Sequence, residues 1–379
     1  MRQIYLDYNA TTPIAATVQE AMLPFLAEHF GNPSSNHSLG RAAHEAVEDA
    51  RGQVAALLGA DADEIVFTSG GTESNNLALK GVLQRHSFGG DGHIIISGIE
   101  HPSIVAPARY LERLGYDVTM VPVSGQGLVQ ANAVRAALRA DTVLVSVMHA
   151  NNEIGTLQPL KQIADVCHEQ QVLLHTDAAQ SVGKVRTLVD ELDVDLLTIA
   201  GHKVYAPKGI GALYIRRGLA IEPLIHGAGH EGGLRAGTEN VPYIVGLGKA
   251  CSLAAKNLDE NQERMLTLRD RLWNLLQREI GGELVLHGRL APRLPNTLSI
   301  AFPQVSGHEM LARIPELCAS TGSACHSDTA AMSPTLAAMG IESDVARGTI
   351  RLSLGWYTTE DDVDRAASLL AGAWEALKP

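Results

Sequence analysis

The chain has 379 residues, 45% hydrophobic and 19% charged, a mixture that can bury a sizeable core and excludes a disordered chain. Its 30 Lys and Arg against 42 Asp and Glu leave a net charge of −12 with no basic cluster, which disfavours direct binding of nucleic-acid phosphates. Four cysteines, at 167, 251, 318 and 325, are too few for a disulfide scaffold, and none of their spacings is that of a zinc or redox pair.

The opening MRQIYLDYNATTP lacks a continuous apolar stretch of signal-peptide length, and no later run approaches a membrane span. The expectation is a cytoplasmic protein with no membrane partner. Ser38 is placed to cap a helix with apolar positions at Leu39, Ala43, Val47, Ala50, Val54, Leu57 and Leu58, and Gly59 to stop it. Short runs follow at 65–68, 94–96, 118–121, 143–147, 172–175 and 196–199. They are apolar at successive positions, as strands are when helices cover both faces of a mostly parallel sheet. Helical stretches such as 160–170 separate them. The fold class is α/β.

After Arg235-Ala236-Gly237-Thr238 the texture changes. Residues 241–280 form one long helical stretch with Asn257 as its break point, ended by Gly281-Gly282. Strand-like segments return at 284–287, 297–301 and 349–354. A closing helix over 360–377 turns Val363, Ala366, Leu369, Leu370, Ala373 and Leu377 inward. The expected division is a large α/β domain at 14–250 and a smaller α+β domain at 251–379, joined by the N-terminal arm 1–13.

Three segments at strand ends carry chemistry. In 68–76, TSGGTESNN, glycines allow close backbone approach, and the free N–H groups of a following helix favour a phosphate; Thr72 adds a hydroxyl. The bland alternative is a plain turn with a helix cap. In 175–180, HTDAAQ, Asp177 suits a protonated ring nitrogen and Gln180 reaches the same ligand; the alternative is a helix-capping Asp. In 200–211, AGHKVYAPKGIG, Lys203 suits Schiff-base chemistry, although a lone loop lysine is usually just solvated. Phosphate cradle, acid and lysine together are the parts that pyridoxal 5'-phosphate requires.

With these segments, YLDYNATTP at 5–13, Glu100-His101, NNEIG at 151–155, RAGTEN at 235–240 and GSAC at 322–325 complete a pattern. The chain resembles the cysteine desulfurases, of the fold type I, class V aminotransferase-like pyridoxal-phosphate enzymes, nearly end to end. The resemblance implies a large domain around a seven-stranded type of sheet. It implies that Lys203 binds the cofactor aldehyde and moves the substrate Cα proton. Asp177 pairs with the pyridine nitrogen. His101 stacks on the ring and acts as an acid/base. Asn152 and Gln180 contact the phenolic oxygen or the substrate. Gly71, Thr72 and His202 lie at the phosphate. Thr238 reaches the phosphate of the other subunit of a homodimer. Arg351 clamps the carboxylate of L-cysteine, and Cys325 is the nucleophile that takes its sulfur as a persulfide for an acceptor protein.

Without the resemblance, His101 reads as a capping or core histidine and Arg351 as a strand surface residue. Cys167, Cys251 and Cys318 read as small buried thiols. Cys325 lies in a polar run after Gly322, with His326 beside it to favour the thiolate. Two departures stand out. Position 200 is alanine where relatives commonly carry a serine, which removes a hydroxyl from the phosphate. The segment around Cys325, bracketed by Pro315 and Pro334, looks tight where many relatives swing this cysteine on a flexible loop. Competing readings are a selenocysteine lyase or aminotransferase of the same superfamily and, from another class, a sulfur carrier or assembly scaffold without turnover. The sulfur destinations open to the family are iron–sulfur clusters, thiolated tRNA and DNA phosphorothioation.

Overall fold

In the computed structural model, which describes residues 2–321 and 332–379, the consecutive apolar runs become a seven-stranded sheet. Its order is Ile65–Thr68, Gly211–Ile215, Leu196–Ala200, Leu173–Asp177, Thr142–Ser146, His93–Ser97 and Asp117–Val121. Gly211–Ile215 runs antiparallel to both neighbours, and the other pairings are parallel. The apolar pattern does not single out that strand, because it emerges directly from the glycine-rich turn after Lys203. Central strands such as His93–Ser97 and Leu196–Ala200 are buried at every position, whereas the edge strand Asp117–Val121 is largely open. Full burial on both faces is why these strands carry no polar alternation.

On one face pack the helices Ala16–Ala27, Ser38–Leu58 and Val241–Lys256. Helix Ser38–Leu58 is capped by His37 and not by Ser38: the His37 Nδ1 accepts from Gly40 N at 3.2 Å. Gly59 ends it at φ 66°, as its lack of a Cβ allows. Leu39 is exposed, while Ala43, Val47, Ala50 and Val54 face the core. Helix Val241–Lys256 comes so close that a Cβ on Gly248 would sit 2.6 Å from Ala50 Cα.

The long helical stretch is two helices, Val241–Lys256 and Leu258–Ile280, meeting at Asn257. The second packs with Glu360–Glu375 beside an antiparallel sheet ordered Ser320–Thr321, Thr349–Ser353, Thr297–Ala301, Val285–Leu286. Leu268, Leu272, Ile300, Leu352 and Leu370 form a core of its own there. The N-terminal arm joins this core: Ile4–Tyr5 pairs in parallel with Leu317–Cys318, and Ile4 and Leu6 are buried in it. Beyond Leu6 the arm crosses to the large sheet, where Thr12 N donates to His202 O at 2.9 Å.

Cys167 and Cys251 are buried, and burial pushes both thiols up to about 12. Cys318 departs from the expected burial. It is only half-buried, its Sγ donating to Gln3 Oε1 at 2.9 Å, because its two-residue strand pairs with the arm at the edge of the core. Cys325 lies outside the described residues.

Candidate active site

The carboxyl ends of Leu173–Asp177 and Leu196–Ala200, together with the start of helix Gly71–His86, open onto a cavity of about 480 Å³. That is a small-molecule volume at the place where α/β sheets hold ligands. Gly71, Thr72, His101, Asn152, Asp177, Gln180, His202, Lys203 and Arg351 all line it. Thr238 does not: it is exposed elsewhere, before helix Val241–Lys256. A larger cavity of about 730 Å³ beside Arg51 and Glu231 contains none of these groups.

Lys203 ends the single turn Gly201–Lys203. Its Nζ donates to the carbonyls of Asn9 (2.6 Å) and Ala10 (2.7 Å). Burial lowers its pKa to about 8; Arg351 adds to this, and Asp177 and Asp7 oppose it. A minor fraction of this amine, far larger than for an ordinary lysine, is therefore neutral and nucleophilic near physiological pH.

Asp177 is fixed at both oxygens. Oδ2 accepts from Asn75 Nδ2 (2.7 Å) and Oδ1 from Ala179 N (2.9 Å). Asn75 Nδ2 also donates to Ser103 Oγ (2.8 Å), which lies 2.8 Å from His101 Nδ1. His101 caps helix Pro102–Arg113, its Nδ1 accepting from Ser103 N at 3.1 Å. A backbone N–H can only donate, so Nδ1 is the acceptor and the ring proton sits on Nε2. Although the ring is open to the cavity, desolvation lowers its pKa; Asp177 opposes this and Lys203 adds to it. The imidazole is thus held neutral in one tautomer.

The start of helix Gly71–His86 is shaped for an anion. Gly70, its N-cap, offers no side chain to its first-turn N–H groups. A Cβ on Gly71 would stand 3.1 Å from Ala200 Cβ, so the cradle is narrow at the position without a hydroxyl. His202 lies beside it, Nδ1 3.2 Å from Thr11 Oγ1, and burial with Lys203 lowers its pKa to about 4. It meets an anion as a neutral hydrogen-bond donor. First-turn amides, Thr72 and His202 for a phosphate, a fixed carboxylate for a pyridinium, and a lysine of lowered pKa for an aldehyde are a donor set that fits pyridoxal phosphate.

Arg351 sits in strand Thr349–Ser353, buried and not on a surface. Nη2 donates to Asp7 Oδ1 (2.6 Å) and Ser320 Oγ (3.0 Å), and Nη1 to Asn152 O (3.1 Å). Its Nε is buried with no hydrogen-bond partner among the described residues. The unused donors of this guanidinium suit a substrate carboxylate.

Behind Met148, Glu100 is buried, its Oε1 accepting from Ser97 Oγ (2.5 Å) and Met148 N (2.8 Å). Burial pushes its pKa up to about 8, against the pull of those hydrogen bonds. Between the ordinary carboxyl range and about 8 the folded chain keeps a proton that the unfolded chain has lost. The stability this group contributes is therefore full at low pH and is lost as pH rises through about 8. Glu100→Gln is expected to flatten the fall in melting temperature between about pH 5 and 8. An unchanged slope would show that the carboxyl ionises freely.

Asn9, Ala10, Asn75 and Ser103 carry no individual role that residue type alone would suggest. Asn9, Ala10 and Asn75 do lie inside the motifs that carry the family resemblance, and that placement is the one signal pointing to them. What Asn9 and Ala10 give Lys203 is a backbone carbonyl each, which no side-chain pattern reports.

The Aminotransferase class-V family matches residues 4–366. A cysteine desulfurase IscS of Dictyoglomus turgidum is 46% identical over 379 residues, covering 100% of this chain and 96% of its own. A solved NifS-like protein superposes with a TM-score of 0.92 at 37% identity, covering 99% of this chain and 100% of its own. A structure described as SspA in complex with cysteine gives a TM-score of 0.83 at 38% identity, covering 94% of this chain and 99% of its own.

Proposed function

Because the chain belongs to the class-V aminotransferase family and is a pyridoxal-phosphate-dependent cysteine desulfurase, we propose that the cavity around Lys203 is where sulfur leaves L-cysteine. The observation that carries this assignment is that Lys203, Asp177, His101 and Arg351 line one cavity, though they come from separate parts of the chain.

Gly71, Thr72 and His202 would hold the cofactor phosphate, Asp177 the ring nitrogen, His101 a ring face, and Asn152 and Gln180 the phenolic oxygen or the substrate. The cofactor, when bound, supplies the electron sink for charge developing at the substrate Cα. Arg351 orients the substrate by its carboxylate. Lys203, freed from its carbonyl partners, takes the Cα proton and returns one. His101, neutral with Nδ1 committed to Ser103, offers only Nε2 to the substrate thiol. The Cys325 thiolate attacks the substrate sulfur, the Cβ–S bond breaks, and a proton replaces sulfur at Cβ. The products are L-alanine and a persulfide on Cys325.

The working unit is a homodimer in which the exposed Thr238 reaches the partner's phosphate site. The sulfur acceptor is a protein, since the net charge of −12 disfavours direct contact with nucleic acid. The likeness to an IscS protein favours iron–sulfur cluster assembly as the destination. A cytoplasmic setting suits a thiol that must stay reduced. Among the described residues no helix is long and apolar enough to cross a membrane.

The test is stoichiometry and location of sulfur. With L-cysteine and a reductant, alanine and sulfide are expected in equal amounts. Without reductant, the Cys325 peptide should gain the mass of one sulfur atom. A Cys325→Ser protein releasing sulfide at the wild-type rate would remove Cys325 from the scheme. Amino-group transfer to a 2-oxo acid would favour an aminotransferase.

A further inference from the structure

Lys184 is a second lysine behind the cavity. It is buried, yet no ion pair with a carboxylate is found for it among the described residues. Its Nζ donates to Gln180 Oε1 at 2.9 Å and to Asn9 Oδ1 at 3.3 Å. The charged groups that face it, Lys203 and Arg351, are both positive. A buried cation with like charges nearby and only amides for partners is costly, which disfavours the charged form of this side chain. Burial first, then those two cations, hold its pKa well below the usual lysine range. Two acceptors, Gln180 Oε1 and Asn9 Oδ1, take its Nζ hydrogens.

Each neighbouring amide is fixed in turn. Asn9 Oδ1 also accepts from Asn296 Nδ2 (3.1 Å), while Asn9 Nδ2 donates to Asn152 O (3.1 Å) and Thr297 Oγ1 (2.9 Å). Gln180 Nε2 donates to Asn9 O (2.9 Å), the same carbonyl that receives Lys203. With Oε1 held by Lys184 and one Nε2 hydrogen on Asn9, Gln180 keeps a single free N–H, and the residue lines the cavity. Without Lys184, Oε1 becomes a buried acceptor with nothing to accept, and the amide gains a reason to turn away.

We propose that Lys184 is a positioning residue: its Nζ, bonded to Gln180 Oε1 and Asn9 Oδ1, locks the Gln180 amide so that its remaining N–H is presented to the ligand's phenolic oxygen. This rests on the reading of Gln180 given under Proposed function. A donor to that oxygen favours its ionised form, so losing it raises the pH at which the bound cofactor's visible absorbance changes.

The experiment measures that pH midpoint in holoenzyme for Gln180→Ala, Lys184→Met and the double variant. Each single variant is expected to raise it by about 0.5–1 unit, and the double variant by no more than Gln180→Ala alone. Additive shifts would mean that Lys184 acts by charge and not through Gln180, and would overturn the proposal. An unshifted Lys184→Met beside a shifted Gln180→Ala overturns it while sparing the reading of Gln180. An unshifted Gln180→Ala overturns both. If Lys184→Met does not fold, Lys184→Gln, too short to reach Gln180, takes its place: a raised midpoint supports the proposal, and an unshifted one overturns it.

Discussion

Replacing Lys203 by alanine is expected to lower sulfur release from L-cysteine by at least about 10³-fold, the range of a lost acid–base group. Two functions go with one side chain. In the proposed scheme the lysine that would hold the cofactor aldehyde would also take the Cα proton, and among the described residues no second lysine lines the cavity to replace it. Lys184 is near but committed to Gln180 and Asn9. The phosphate cradle and Asp177 remain intact in Lys203→Ala, so the protein should still retain cofactor, now without a link that borohydride can fix. Single-turnover alanine formation and borohydride trapping check both halves. A rate within about tenfold of the wild type would place the proton-moving base elsewhere.

Replacing Glu231 by alanine is expected to destabilise the fold by about 3–5 kcal/mol, as when one member of a buried ion pair is removed. Glu231 Oε2 accepts from Arg51 Nη1 (2.7 Å) and Phe67 N (2.7 Å), and Oε1 from Arg51 Nη2 (2.9 Å). Arg51 Nη1 also donates to Ile65 O at 2.8 Å. Without the carboxylate, Arg51 keeps only the half-exposed Glu48, whose Oε1 accepts from Nε at 3.1 Å, and Ile65 O; its Nη2 loses the acceptor it has in Glu231, and an amide of strand Ile65–Thr68 loses its own. That strand leads directly into the phosphate cradle, so cofactor retention should weaken along with stability. Denaturant unfolding of the holoenzyme measures the first and dialysis the second. A loss below about 1 kcal/mol would show that water reaches Arg51 and solvates it.

How far the sequence foretells this protein differs from element to element. The runs at 94–96 and 196–199 announce buried strands because burial on both faces leaves an uninterrupted apolar signature. Gly211–Ile215 has the same signature but follows a turn rich in glycine, and turn chemistry masks it. The cap of helix Ser38–Leu58 falls to His37 because an imidazole nitrogen accepts a backbone N–H as a hydroxyl does, one residue earlier. The site residues at strand ends are legible as residue types suited to one cofactor. Asn75, Ser103 and Lys184 are not, because their roles lie in which partner they bond, and a sequence does not print partners. Nor does the sequence distinguish Cys318 from its buried fellows: its exposure depends on pairing with an arm more than 300 positions earlier in the chain.

The arm that supplies Asn9 and Ala10 has a consequence for how the enzyme is made. It is translated well before the groups it serves: Lys203 follows Asn9 by 194 positions and Ser353 follows it by 344, with Leu317–Cys318 in between. Closing loops of that length is slow, and the arm has no sheet of its own to join until then. A nascent chain on the ribosome can therefore assemble the large sheet while its lysine still lacks the two carbonyls that restrain it. The completed site appears only when the last strand folds back onto the first residues. A chain without strand Thr349–Ser353 thus lacks both Arg351 and the Ser353 hydroxyl that accepts from Asn9 N, so one late segment governs both the substrate clamp and the seating of the arm.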